Sequence, residues 1–228
     1  MSRDPTFAYA NTYQCGYPAS FLSTERFNWL LAPMLDTTRP MDNMALSFSL
    51  PQEDEVGTNV LSGGRSPYMP IIFMRRHRDF QPMYEWGEDA APEDAAAWEE
   101  AFLHFMRKVT LRHGGHKPLL VKSPVHMARV RLILRLFPRA KFVFIHRHPL
   151  EVFQSAAHMA DTYYWYAYLQ RPTSQEVTDF ILEQGELLHR TYLRDRELIP
   201  PGNLHELSFR SLEADPKAAL RKIYGAFG

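Results

Sequence analysis

Two cations and a run of carboxylates are the residues that could do chemistry. Lys122 closes the apolar run Leu119–Leu120–Val121, and Arg147 follows a second one, Phe142–Val143–Phe144–Ile145. Ligands of open α/β sheets bind where strands hand over to helices, so cations at two such points predict an anionic ligand. Pro51–Gln52–Glu53–Asp54–Glu55 sets three carboxylates side by side. Adjacent like charges disfavour simultaneous ionisation, which lets one carboxyl hold a raised pKa and act as a base. The plainer reading is a helix start, since acids favour the first turn after a proline. His126, four residues past Lys122, is a further candidate base.

The elements that must hold these groups follow from periodicity. The two apolar runs are separated by a helical pattern over His126–Phe137, and they read as parallel strands buried on both faces. Leu204–Phe209 is a third short strand. Helices are expected over Phe21–Leu35 with Ser20 as cap, and over Pro92–His113, ended by Gly114–Gly115. Two more run from Ser174 to about Glu197 and from Asp215–Pro216 to the last residue. The fold class is α/β: a parallel sheet flanked by helices, in one domain over residues 1–228. Arg129 falls among Leu132, Ile133 and Leu136 on the apolar side of its helix, so it needs either a buried ion pair or a ligand. Gly63–Gly64–Arg65–Ser66 reads as a loop. The aromatics of Tyr68–Trp86 suit a wall of an acceptor site or plain packing, and Tyr163–Tyr166 suits core or lid.

Charge narrows the partners. Ala101–Leu150 holds eleven Lys/Arg and no Asp or Glu, although the whole chain is balanced at 26 against 26. That balance argues against a nucleic-acid binder, and the basic residues are not interleaved with a reading motif. Cys15 is the lone cysteine, which excludes an internal disulfide and fits a reducing compartment. No apolar run approaches the roughly 20 residues of a membrane span. Without a signal-peptide pattern, the expectation is a cytoplasmic protein. No metal site is expected from the ten histidines, because His146 and His148 have no acidic or cysteine partner at ligand spacing. Nothing in the sequence sets an oligomeric state.

The central stretch resembles the sulfotransferases that use 3'-phosphoadenylyl sulfate as donor. The resemblance is carried by L-V-K-S-P-x-H-x-x-R, then L-F-P-x-A-K-F-V-F-I-H-R-x-P, then a serine six residues after that proline. Arg39–Pro40–Met41–Asp42–Asn43, the acidic run at 51–55, Ser66–Pro67–Tyr68 and Phe209–Arg210–Ser211–Leu212 stand in the same order. The resemblance implies a P-loop-nucleotide-hydrolase-like architecture, no metal, and in-line transfer of a sulfuryl group to the hydroxyl or amine of a small-molecule acceptor. It places Arg147 and Ser155 at the donor's 3'-phosphate, with Ser123 and Arg129 among the donor contacts. Lys122 would meet the sulfuryl group and the leaving oxygen, where negative charge develops. Glu53, Glu55 and His126 stay open as the base, the acidic cluster preferred. His148 departs from the aspartate common in the family. The family's R-S-G-T-T-like 5'-phosphosulfate loop has no counterpart here, so the resemblance implies a chain clipped at both ends and short of its first strand. A missing strand would expose a neighbouring strand edge.

Overall fold

Trp98, Phe102, Phe105 and Val109 recur on one side of a single helix and set the core. The computed structural model describes residues 1–2 and 4–228. Its helices are α1 (Thr12–Gly16), α2 (Phe21–Thr24), α3 (Asp54–Leu61), α4 (Pro82–Glu85), α5 (Pro92–Arg112), α6 (Val130–Leu136), α7 (Pro149–Thr162), α8 (Ser174–Asp195), α9 (Phe209–Ala214) and α10 (Pro216–Phe227). Pro92 opens α5, and Glu93 and Asp94 occupy its first turn, where the helix dipole favours acids. Its stripe buries Trp98, Ala101, Phe102, Phe105, Met106 and Val109. Gly114 and Gly115, at φ +93° and +84°, end it as expected. α3 lies so close to α5 that a Cβ on Gly57 would come 2.7 Å from the Phe105 ring.

Strands β1 (Phe142–His146) and β2 (Leu204–Ser208) pair in parallel, with Phe142 opposite Leu204 and His146 opposite Ser208. The apolar run at 119–121 is not a regular strand. It makes one parallel bridge, Ala8 to Leu119, through Ala8 N to Pro118 O (2.9 Å) and Leu120 N to Ala8 O (2.7 Å). β1 is not buried on both faces either: its residues are half-buried to exposed, and Ile145 is 45% exposed. The cause is common to both departures. Among the described residues, one edge of each segment has no strand beside it.

Two helix boundaries differ from the periodicity. Phe21–Leu35 breaks into α2 and 3-10 turns at Glu25–Leu30 and Ala32–Met34, and Ser20 makes no side-chain cap. Phe27 and Leu30 are exposed, so no packing holds that stripe in one helix. The pattern at 126–137 divides into a 3-10 turn at Pro124–Ala128 and α6, with Arg129 between them at φ −119° and ψ 20°. The last helix, α10, starts at Asp215–Pro216 as expected, with the Asp215 side chain accepting from Ala218 N, and the short α9 precedes it. α8 starts where expected, held by a reciprocal Thr173–Glu176 capping box.

Candidate active site

The acidic run at 51–55 is a helix start, and each of its carboxylates has a different job. Glu53 is the N-cap of α3, in extended geometry at φ −67° and ψ 126°. Its side chain turns towards Lys122, whose Nζ donates to Glu53 Oε1, while the Tyr68 hydroxyl donates to Glu53 Oε2. Lys122 is 71% exposed and Glu53 26%, so this pair faces solvent on one side. Burial first, then the Glu53 charge, pushes the Tyr68 phenol well above its ordinary value, which keeps it a donor.

Asp54 points inward and ties two distant segments together. Its Oδ1 accepts from Lys122 N at 2.9 Å and from Ser123 Oγ at 3.4 Å, and Oδ2 lies 2.9 Å from His126 Nε2. Ser123 Oγ also accepts from Glu55 N at 3.1 Å. Burial opposes the charged Asp54 carboxyl. The His126 charge and hydrogen bond, with Arg129, outweigh it and hold the pKa below the usual carboxylate value. His126 Nδ1 is buried with no hydrogen-bond partner among the described residues. The first turn of α3 is thus stapled to residues 122–126.

Glu55 and Arg129 belong to the interior, which corrects two expectations. Both side chains are 0% exposed. Glu55 accepts from Arg129 Nη1 (2.5 Å), Ser66 Oγ (2.7 Å) and Trp98 Nε1 (3.2 Å). Arg129 also donates to the carbonyls of Tyr84 and Met83, each at 3.0 Å, and stacks 4.1 Å over the Trp98 ring. A carboxylate so enclosed is out of an acceptor's reach, and a guanidinium so committed has nothing left for a phosphate. Of the two readings open for Arg129, the buried ion pair holds.

Arg147 sits just past β1. Its Nε donates to Glu151 at 3.0 Å, and its guanidinium lies 4.9 Å over the Phe209 ring. Its two terminal nitrogens have no hydrogen-bond partner among the described residues. Ser155 is exposed on α7, two turns beyond Arg147. No hydrogen bond among the described residues joins these two to the Lys122 cluster. A cleft of about 1000 Å³ runs beside Glu53 and Lys122, between residues 118–122 and β1. A second, of about 700 Å³, lies between α7 and α8 under Trp165 and Tyr168 and touches none of the site residues. No group of three or more His, Cys, Asp or Glu suited to a metal occurs among the described residues.

Asp54 and Tyr68 are the partners that reading the sequence did not single out. Both lie in quoted motifs, but spacing alone could not show that Asp54, rather than a neighbour, turns inward, or that Tyr68 reaches Glu53.

A lysine and a carboxylate paired at the end of the 118–122 segment, with a part-free arginine after the next strand, match the central motif. The model of the sulfotransferase family matches residues 63–228. The chain belongs to that family. Among curated relatives, the omega-hydroxy-beta-dihydromenaquinone-9 sulfotransferases of Mycobacterium tuberculosis and Mycobacterium bovis are each 33% identical over 216 residues. The match covers 95% of this chain and 55% of theirs, so the chain spans about half the length of these relatives. Two solved sulfotransferases share the fold. The one from Mycobacterium tuberculosis superposes with TM-score 0.73 at 14% identity, over 99% of this chain and 61% of its own. The one from Mycobacterium avium gives 0.72 at 16%, over 99% and 58%. An α/β sulfotransferase fold is therefore shown by family and by shape. No helix among the described residues is long and apolar enough to cross a membrane.

Proposed function

We propose that this chain carries the lysine and the base of a sulfuryl-transfer site, taking a sulfuryl group from 3'-phosphoadenylyl sulfate to an acceptor hydroxyl. The contact between Lys122 Nζ and the Glu53 carboxylate supports this reading most directly. Glu53 takes the acceptor's proton as the acceptor oxygen bonds to sulfur. The bond from sulfur to the phosphate oxygen breaks, its electron pair stays on that oxygen, and Lys122 offsets the charge that builds there. Tyr68 holds the second oxygen of Glu53 and aims the first. Asp54, with Ser123 and His126, fixes the distance between base and lysine. Glu53 fits the role of base better than His126, whose Nε2 is committed to Asp54.

Arg147 and Ser155 would hold the donor's 3'-phosphate through a guanidinium fork and a hydroxyl. The mycobacterial relatives are named for a hydroxylated menaquinone. A hydroxyl is the acceptor group proposed here, with an amine as the alternative. The test is transfer of labelled sulfuryl from the donor to hydroxylated acceptors, with calorimetry of the desulfated donor product on the same protein. Binding of that product unchanged by Arg147→Ala would overturn the donor assignment, and label transfer surviving Lys122→Ala would overturn the role of the lysine.

A further inference from the structure

The motif Arg39–Pro40–Met41–Asp42–Asn43 has no part in the site described so far, yet its loop is built around one guanidinium. Residues 37–46 form a short hairpin. Thr38 and Ala45 bridge antiparallel, Leu46 N donates to Thr37 O, and Arg39 N donates to Met44 O, both at 2.9 Å. The tip closes through Asn43 N to Arg39 O at 2.9 Å, with Asn43 at φ 53°, a left-handed geometry that asparagine tolerates. Asp42 Oδ1 accepts from Met44 N and from Arg39 Nε, each at 3.1 Å, and Oδ2 accepts from Arg39 Nη2. The backbone therefore pins the carboxylate that orients the arginine. Asp42 takes the Nε–Nη2 edge of the fork, and Nη1 has no partner among the described residues. A solvated surface pair is the plain alternative, because an i,i+3 pair with both side chains one-third exposed contributes little. Its place in the fold argues otherwise.

Arg39 lines the same cleft as Gln52, Glu53 and Lys122. The hairpin runs on through residues 47–50 into the acidic run, where Thr12 N donates to Leu50 O and Asn11 bridges Pro51. Glu53 is the one Asp or Glu side chain lining the cleft among the described residues, and Lys122 already offsets it. Lys141 is spent on Phe227 O, at the end where β1 begins. The Arg39 charge is thus in surplus on the wall that carries Glu53. A guanidinium has five donors, no acceptor and a permanent charge, so its ligand is an anion. This inference rests on the sulfuryl-transfer reading, in which the anions are the donor's phosphates and its sulfuryl group. There Arg147 has the 3'-phosphate and Lys122 the leaving phosphate oxygen. In-line transfer sets the acceptor and the leaving oxygen on opposite sides of sulfur, and Arg39 shares its wall with the base on the acceptor's side. We propose that Arg39, oriented by Asp42, is a sulfuryl-binding residue whose free edge holds the non-bridging oxygens of the donor's sulfuryl group. Such a contact lets the site tell the donor from its desulfated product.

Calorimetry with two ligands, 3'-phosphoadenylyl sulfate and its desulfated product, isolates this contact, because they differ by the sulfuryl group alone. Arg39→Ala should weaken the donor by about tenfold to a hundredfold and leave the product within about twofold. Asp42→Asn should give a smaller loss of the same donor-only kind. Equal weakening of both ligands by Arg39→Ala, or of neither, would overturn the inference and leave the sulfuryl-transfer reading standing. A parent chain that binds the product but not the donor would overturn it as well. A parent that binds neither ligand would overturn the reading, and this inference with it. If Arg39→Ala does not fold, Arg39→Gln keeps the stem and loses the charge, and the same donor-to-product ratio decides.

Discussion

Glu55 and Arg129 meet in the interior at 2.5 Å, 74 residues apart in sequence and both wholly out of solvent. One stands on the first turn of α3, beside the proposed base. The other stands just ahead of α6, in the stretch that begins at Lys122. The pair therefore locks the acidic segment to the lysine segment from behind, as Asp54 does from the front.

Removing one partner leaves the other as an uncompensated buried charge. Arg129→Leu or Glu55→Gln should cost about 3–5 kcal/mol in urea unfolding. The double variant should cost clearly less than the sum, because no lone charge remains buried. Additive losses in the double-mutant cycle would show that the two side chains do not act as a pair.

Gly57 measures how tightly the site is seated on the core. A Cβ there would meet the Phe105 ring at 2.7 Å, and Phe105 is fully buried. Gly57→Ala should destabilise by about 1–3 kcal/mol through overpacking, despite the higher helix propensity of alanine. Phe105→Leu in the same background should recover part of the loss. A thermal melt of Gly57→Ala at or above the parent's would mean that α3 and α5 can move apart.

Acid should loosen the contact between α8 and the 3-10 segment at 74–80. Glu183 accepts from Arg78 Nη2 at 2.5 Å and lies 2.9 Å from His77 Nε2. The Arg78 hydrogen bond, reduced by burial and reinforced by His77, brings Glu183 down to about 2. A carboxyl depressed on folding adds stability that is full above its unfolded pKa, about 4.3, and is lost as pH falls towards 2. Glu183→Gln should flatten the stability profile across that window and leave its shape near neutrality unchanged. An unaltered acid limb would remove Glu183 from the account.

Legibility in the sequence varied with what each signal depends on. α5 was readable because its stripe, acids and terminal glycines all act locally. The helix expected at Phe21–Leu35 was not, since Leu22, Phe27 and Leu30 stay exposed and only Phe21 and Leu31 of its stripe reach the core. The run at Leu119–Val121 has strand composition, but a strand needs neighbours on its edges, and composition cannot supply them. Arg129 carries two readings in the sequence because its partner Glu55 is distant along the chain. The same distance hid Asp54: only the fold brings it to the amide of Lys122.

Lys122 is the residue on which the proposed chemistry turns. Its side chain is 71% exposed, so Lys122→Ala should leave the melting temperature nearly unchanged. Under the proposal the same change lowers kcat by about a hundredfold to a thousandfold, because the charge on the leaving oxygen loses its counter-ion. Glu53→Gln should lower kcat by about a hundredfold or more, and should remove the acid limb of the rate profile that a carboxylate base produces. Arg147→Ala acts elsewhere: it should weaken donor binding by about tenfold to a hundredfold, as expected for a lost charge-assisted hydrogen bond. Initial rates at varied donor concentration separate the three. If Lys122→Ala raised KM and spared kcat, the lysine would be a binding residue only, and the transfer step would need another source of positive charge.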